Sequence, residues 1–89
     1  SWVPASRGNV EPEYPLLARR RGFEGRTLLK VEVLASGGSG NVDVISSSGH
    51  AVLDNAALNA VRQWKFVPAA GARAAAMSIE VPVSFRLVD

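Results

Sequence analysis

Cysteine is absent from this 89-residue chain, which excludes a disulfide framework, a thiolate metal cluster and a cysteine nucleophile. A cysteine-free chain fits a reducing or an oxidising compartment equally well. Histidine occurs once. Charge of one sign is also scarce: ten Lys and Arg against eight Asp and Glu leave only +2. The pI of about 9.7 therefore overstates the basicity, because a small surplus of Arg moves the pI far without building a strong field. No apolar run approaches the ~20 residues needed to cross a bilayer, and no charged-then-apolar leader opens the chain. The chain starts at Ser1 rather than Met, as a fragment or processed product would, with any anchor upstream of it.

What is present is globular. An apolar share of 47% with 20% charged residues is too hydrophobic and too weakly charged for a disordered chain. This length makes one domain, burying about 60–65% of its unfolded surface. It can build a core and a binding surface, with little room for a deep catalytic cavity.

Residues 1–10 read as the end of a linker, with Pro4, Gly8 and polar neighbours and no periodicity; Trp2 and Val3 are their bulky apolar pair. From residue 11 to 89 the pattern is that of a domain. Pro15, Arg19–Arg21 and Gly22 punctuate a short helix: a residue pre-set for the first turn, cations at the negative end, and a left-handed stop. Leu29, Val31 and Val33 alternate with Lys30 and Glu32 over Arg26–Leu34, the period of a half-buried strand. A Ser36–Gly40 turn leads to a second strand around Val42 and Val44, completing a hairpin. Leu53, Ala57, Ala60, Val61 and Trp64 form one stripe of a long helix over Leu53–Phe66, stopped by Pro68. Asp54 suits the positive end of its dipole. Ala69–Ala76 is a loose connector.

The last element is the most informative. Ile79, Val81, Val83, Phe85 and Leu87 alternate with Ser78, Glu80, Pro82, Ser84 and Arg86. Proline has no N–H to give to a ladder, so Pro82 belongs at an edge or a bulge. Main-chain groups in a strand point to alternate lateral sides. If the odd residues pair inward, the even ones, Pro82 among them, face an open edge. Glu80 and Ser84 then present their main chain to solvent, and such an edge invites another strand.

Other readings are weaker. Three consecutive arginines on a helix fan out by about 100° each, so Arg19–Arg21 make no single stripe for nucleic acid. Ser47, His50 and Asp54 hold the residue types of a hydrolytic triad, but local spacing is no evidence for one. His50 with Asp43 or Asp54 has no recognised metal-ligand spacing. Gly37–Gly40 lacks the Lys-Ser/Thr of a phosphate loop and joins two strands. Trp64, with Phe66 two residues on, reads as core.

Taken in order, these segments resemble the C-terminal domain of TonB, the periplasm-spanning energy transducer of Gram-negative bacteria. The resemblance covers about Glu11 to Leu87. It rests on Tyr14-Pro15 and the Ala18…Gly22 helix, then Gly22-Phe23-Glu24-Gly25 and Ser47-Ser48-Gly49. Leu53-Asp54-Asn55-Ala56-Ala57-Leu58, Ala60-Val61-Arg62-Gln63-Trp64-Lys65-Phe66-Val67-Pro68 and Val81-Pro82-Val83-Ser84-Phe85 complete it.

The resemblance implies an α+β fold: a three-stranded antiparallel sheet packed against two helices, with short helix, hairpin, long helix and last edge strand in that order. It implies a non-enzymatic domain without cofactor, metal, nucleic acid or small-molecule substrate. Its partners would be the TonB box and plug of outer-membrane receptors and, through upstream residues, an inner-membrane motor of the ExbB/ExbD type. The full-length protein would be anchored in the inner membrane, with this domain in the periplasm, serving uptake of siderophore, haem or a similar nutrient. The box would be captured as a strand beside the last strand, through Ser78, Glu80, Pro82, Ser84 and Arg86. The segment before Tyr14 would also contact it, through Glu11, Glu13 and Tyr14. Better-known members carry amides near positions 11 and 13, where this chain has carboxylates, which implies a basic residue nearby in the partner or a paralogue serving one receptor. The alternative is a TolA-like structural module that uses the same edge for self-association.

Overall fold

The computed structural model describes residues 2–69 and 77–88. Its elements, in chain order, are β1 (Trp2–Pro4), α1 (Leu16–Arg21), β2 (Gly25–Val33), β3 (Ser39–Ser46), α2 (Ala51–Val61), β4 (Phe66–Pro68) and β5 (Met77–Phe85). The expected three-stranded antiparallel sheet is present, in the order β3-β2-β5. A two-stranded ribbon of β1 and β4 accompanies it.

The period-2 pattern decides the faces of the sheet. Thr27, Leu29, Val31 and Val33 of β2 and Val81, Val83 and Phe85 of β5 are buried. In the middle of the pair buried residues face each other, Leu29 with Val81 and Thr27 with Val83, while Val31 faces half-buried Ile79 and Phe85 faces half-buried Gly25. Their neighbours Lys30 with Glu80 and Arg26 with Ser84 share the solvent face. Leu53, Ala57 and Val61 of the apolar stripe of α2 join the same core cluster and close it from one side, and Ala60 of the same stripe is buried too. β2 is thus sandwiched laterally, while β3 and β5 are sheet edges.

α1 keeps its expected cationic last turn and glycine stop, but it begins at Leu16, one residue after the proline expected at its first position. Pro15 is its N-cap in an extended conformation, and Gly22 ends it at φ 68° in the left-handed region. Ala18 is the residue that α1 buries, whereas Leu16 and Leu17 stay exposed.

The long helix is shorter than its sequence pattern. The stripe from Leu53 predicts a helix to Phe66, but α2 ends at Val61, and Phe66 begins β4. Phe66 gives its N–H to the Gly37 carbonyl at 2.7 Å and pairs with Pro4. The β1 partner and the hairpin turn together claim the backbone that the helix would have used. Gly37 admits this contact because it is glycine at φ 90°; a Cβ there would lie 2.5 Å from the Phe66 carbonyl oxygen.

Within the stretch expected as the end of a linker, Trp2–Pro4 forms β1, and Trp2 is 5% exposed in the core. Burying one large ring offsets the ordering of a few backbone residues. Ala5 and Asn9 then tie the chain to Lys65: Ala5 N–H donates to its carbonyl at 2.9 Å, and the Asn9 amide donates to that carbonyl and accepts from the Lys65 N–H. Residues 70–76 of the expected connector lie outside the described residues.

Candidate functional site

β5 pairs with β2 along its whole length without a break in register, from Gly25 with Phe85 to Val33 with Met77. Leu28 sits opposite Pro82. Because proline lacks an N–H, that pair must be a non-hydrogen-bonded one, which sends the main-chain groups of the even residues away from β2. Ser78, Glu80 and Ser84 therefore turn their N–H and C=O toward the outer side of β5, where the sheet has no further strand among the described residues. The Pro82 carbonyl points the same way, with a missing donor beside it.

The C-terminal half of this edge meets a groove of about 400 Å³. One wall is Pro82 to Arg86; the other is Glu11, Pro12, Tyr14 and Trp64. Of the expected contact residues, Glu11, Tyr14, Pro82, Ser84 and Arg86 are gathered there. Ser78 and Glu80 lie farther up the strand, and Glu13 faces a different groove, against α2.

Each wall is held by identifiable contacts. Tyr14 packs edge-on against Phe85 with ring centroids 5.4 Å apart, and donates its hydroxyl to the Phe23 carbonyl. The Arg19 guanidinium covers the Tyr14 ring at 4.9 Å. Burial, then the Glu24 charge, push the Tyr14 hydroxyl above its ordinary pKa, and Arg19 pulls the other way. Tyr14 thus stays a neutral donor at physiological pH. The Glu24 carboxylate accepts from the Leu87 N–H at 2.5 Å, anchoring the chain just beyond β5.

Trp64 is the groove residue that the core reading missed. It is half-buried, packs against the core, and donates its indole N–H to the Val10 carbonyl at 2.6 Å. That bond pins the extended segment that carries Glu11. An indole at the edge of an apolar stripe needs an acceptor, and this requirement is the signal the sequence offered.

The triad residue types do not assemble a triad. Asp54 accepts from the Ser47, Ser48 and Thr27 hydroxyls and from the Ser48 N–H. The His50 ring instead stacks on Phe23, centroids 4.0 Å apart. Burial alone would raise the Asp54 carboxyl, but the bonds from Ser47, Ser48 and Thr27 outweigh it and hold the pKa at about 2, against an ordinary 3.8. Asp54 fixes the β3–α2 loop. Among the described residues no His, Asp or Glu cluster could hold a metal ion, and no helix is long and apolar enough to cross a membrane.

Residues 10–87 match the sequence profile of the Gram-negative bacterial TonB protein C-terminal. The chain belongs to the TonB C-terminal domain family. It is 51% identical over 80 residues to protein tonB2 of Pseudomonas aeruginosa, a match that spans 89% of this chain and 30% of that protein. Against TonB of Vibrio cholerae it is 39% identical over 79 residues, 88% of this chain and 32% of the relative. The chain thus spans about a third of the length of these curated relatives. In fold it is similar to the solution structure of the Pseudomonas aeruginosa TonB C-terminal domain. That similarity has a TM-score of 0.80 at 24% identity and covers 99% of this chain and 88% of the other. Membership of the TonB family agrees with the α+β architecture of two helices on a three-stranded antiparallel sheet.

Proposed function

We propose that this TonB C-terminal domain is the receptor-binding end of a periplasmic energy transducer. It takes up the TonB box, an extended segment of an outer-membrane receptor, as a fourth strand on the outer side of β5. The observation that carries this reading is the open edge itself: outward main-chain groups at Ser78, Glu80 and Ser84 run into the groove formed with Glu11, Tyr14 and Trp64. Main-chain pairing is tolerant of sequence, so one edge can serve several receptors, while side chains in the groove add selectivity. The domain makes and breaks no covalent bond. Force generated by an inner-membrane, proton-driven motor of the ExbB/ExbD type reaches the receptor plug through the captured strand, whose hydrogen bonds are loaded in parallel. The transported cargo is a siderophore, haem or a similar nutrient.

The test is a titration of the isotope-labelled domain with a synthetic TonB-box peptide. The amide signals of Glu80, Ser84 and Arg86 move most. If they stay still while the β2–β3 hairpin or α2 responds, capture at β5 is wrong.

A further inference from the structure

The segment Val10–Pro15 has a groove on each side. The one toward β5 belongs to the reading above. The other, toward α2, is larger, about 580 Å³, and no part of that reading uses it. Its floor is apolar, with Val52 and Ala56 of α2, and its rim carries Glu11, Glu13, Asn55 and Asn59. Among the described residues no Lys or Arg lines it. The two carboxylates and the Asn55 and Asn59 side-chain amides have no hydrogen-bond or ion-pair partner among the described residues. Two carboxylates without a cation among the described residues, beside an apolar floor, suit a long cationic side chain, whose aliphatic stem covers the floor while its head meets the acids. An acidic or purely apolar occupant would leave both charges facing it unpaired.

Glu11 lines both grooves. A chain paired along β5 that turns off across Glu11 therefore passes directly from one groove to the other. We propose that the captured segment continues into a basic flank, with Lys or Arg within a few residues of the paired strand, and that the α2 groove receives this flank. The proposal rests on strand capture at β5. It assigns α2 a share of partner selection, and it gives the carboxylates at positions 11 and 13 an electrostatic role in that selection.

The experiment compares three synthetic peptides that share one Thr/Val-rich strand core. One has no flank, one carries Lys-Arg before the core, and one carries Lys-Arg after it. One flanked peptide, the one whose flank reaches Glu11, shifts the amide signals of Asn55, Asn59 and Gln63 as well as those of β5. It binds about threefold tighter than the unflanked peptide at low salt, the size expected of exposed charge pairs. The gain shrinks as added salt shortens the screening length. Asn59→Lys, which places a cation in the α2 groove at a position outside the lining of the β5 groove, removes the gain. If all three peptides bind equally and the α2 signals stay still while the β5 signals move, the flank proposal is wrong and strand capture stands. If no peptide moves the β5 signals, strand capture fails and the flank proposal with it. If the domain dimerises in sedimentation runs and Asn59→Lys abolishes the dimer, a second copy occupies the groove and the proposal is overturned.

Discussion

The Thr27 hydroxyl donates to the Asp54 carboxylate at 2.7 Å, joining the central strand of the sheet to the first turn of α2. Thr27 is fully buried, so its hydroxyl needs that acceptor. The same carboxylate also accepts from Ser47 and from Ser48 twice. One side chain therefore sets three things at once: the start of α2, the loop that follows β3, and the lateral position of α2 over β2.

Acid should loosen this joint. The folded pKa of Asp54, about 2, lies below its ordinary 3.8. The carboxylate's contribution is therefore complete above pH 4 to 5, and is lost as the pH falls through 3.8 toward 2. After allowance for solvent screening it amounts to about 1 kcal/mol. Asp54→Asn should cost about 2 kcal/mol at pH 7, because it removes charge-assisted bonds and leaves hydroxyl donors competing for one oxygen. Urea unfolding at pH 7 and pH 3 checks both. The variant should show a smaller drop between the two pH values than the parent, and an equal drop would discount Asp54 as the source.

The groove beside β5 depends on one indole. Trp64→Phe keeps a large apolar ring but deletes the N–H that holds the Val10 carbonyl. The fold should lose about 1 kcal/mol, the usual net worth of one such bond. The local effect should be larger: amide protons of the Asn9–Glu13 segment exchange faster, and a box peptide binds several-fold more weakly because it must now order that wall. Unchanged affinity would show that the Glu11 segment plays no part in holding the partner.

Much of this architecture is legible in the residues. The alternation through Leu29, Val31 and Val33, and again through Val81, Val83 and Phe85, appears directly as the buried face of the sheet. Pro15 and Gly22 bound α1 as their backbone preferences demand. The open edge at β5 follows from a single missing N–H at Pro82. The misreadings share one cause, a long-range partner that no local pattern announces. Phe66 continues a helical run until Gly37 and Pro4, 29 and 62 positions away, claim its backbone. Trp64 looks like one more core ring until Val10 supplies an acceptor. Asp54 does stand in the first turn of α2, as the dipole reading expects, and only the fold adds Thr27 to its partners. The second groove has no sequence signature at all, because it exists only where the Val10–Pro15 segment crosses α2.

Pro82 offers the most direct test of the edge. It is exposed on the solvent face and opposite Leu28, and its ring supports no core contact, so Pro82→Ala should leave the fold intact. The substitution restores one outward N–H midway between Glu80 and Ser84, turning a broken row of donors into a continuous one. A strand captured there gains one main-chain hydrogen bond, worth about 1 kcal/mol, and should bind roughly fivefold tighter. The same continuity removes a guard against unwanted pairing, since proline is among the residues that blunt exposed edges. The variant should therefore also self-associate at concentrations where the parent is monomeric, as sedimentation across a concentration series would reveal. Tighter peptide binding and new self-association have a common origin, so an excess of box peptide should dissolve the dimers. A Pro82→Ala domain that binds the peptide no better and stays monomeric would mean that the outer side of β5 is not where strands are added.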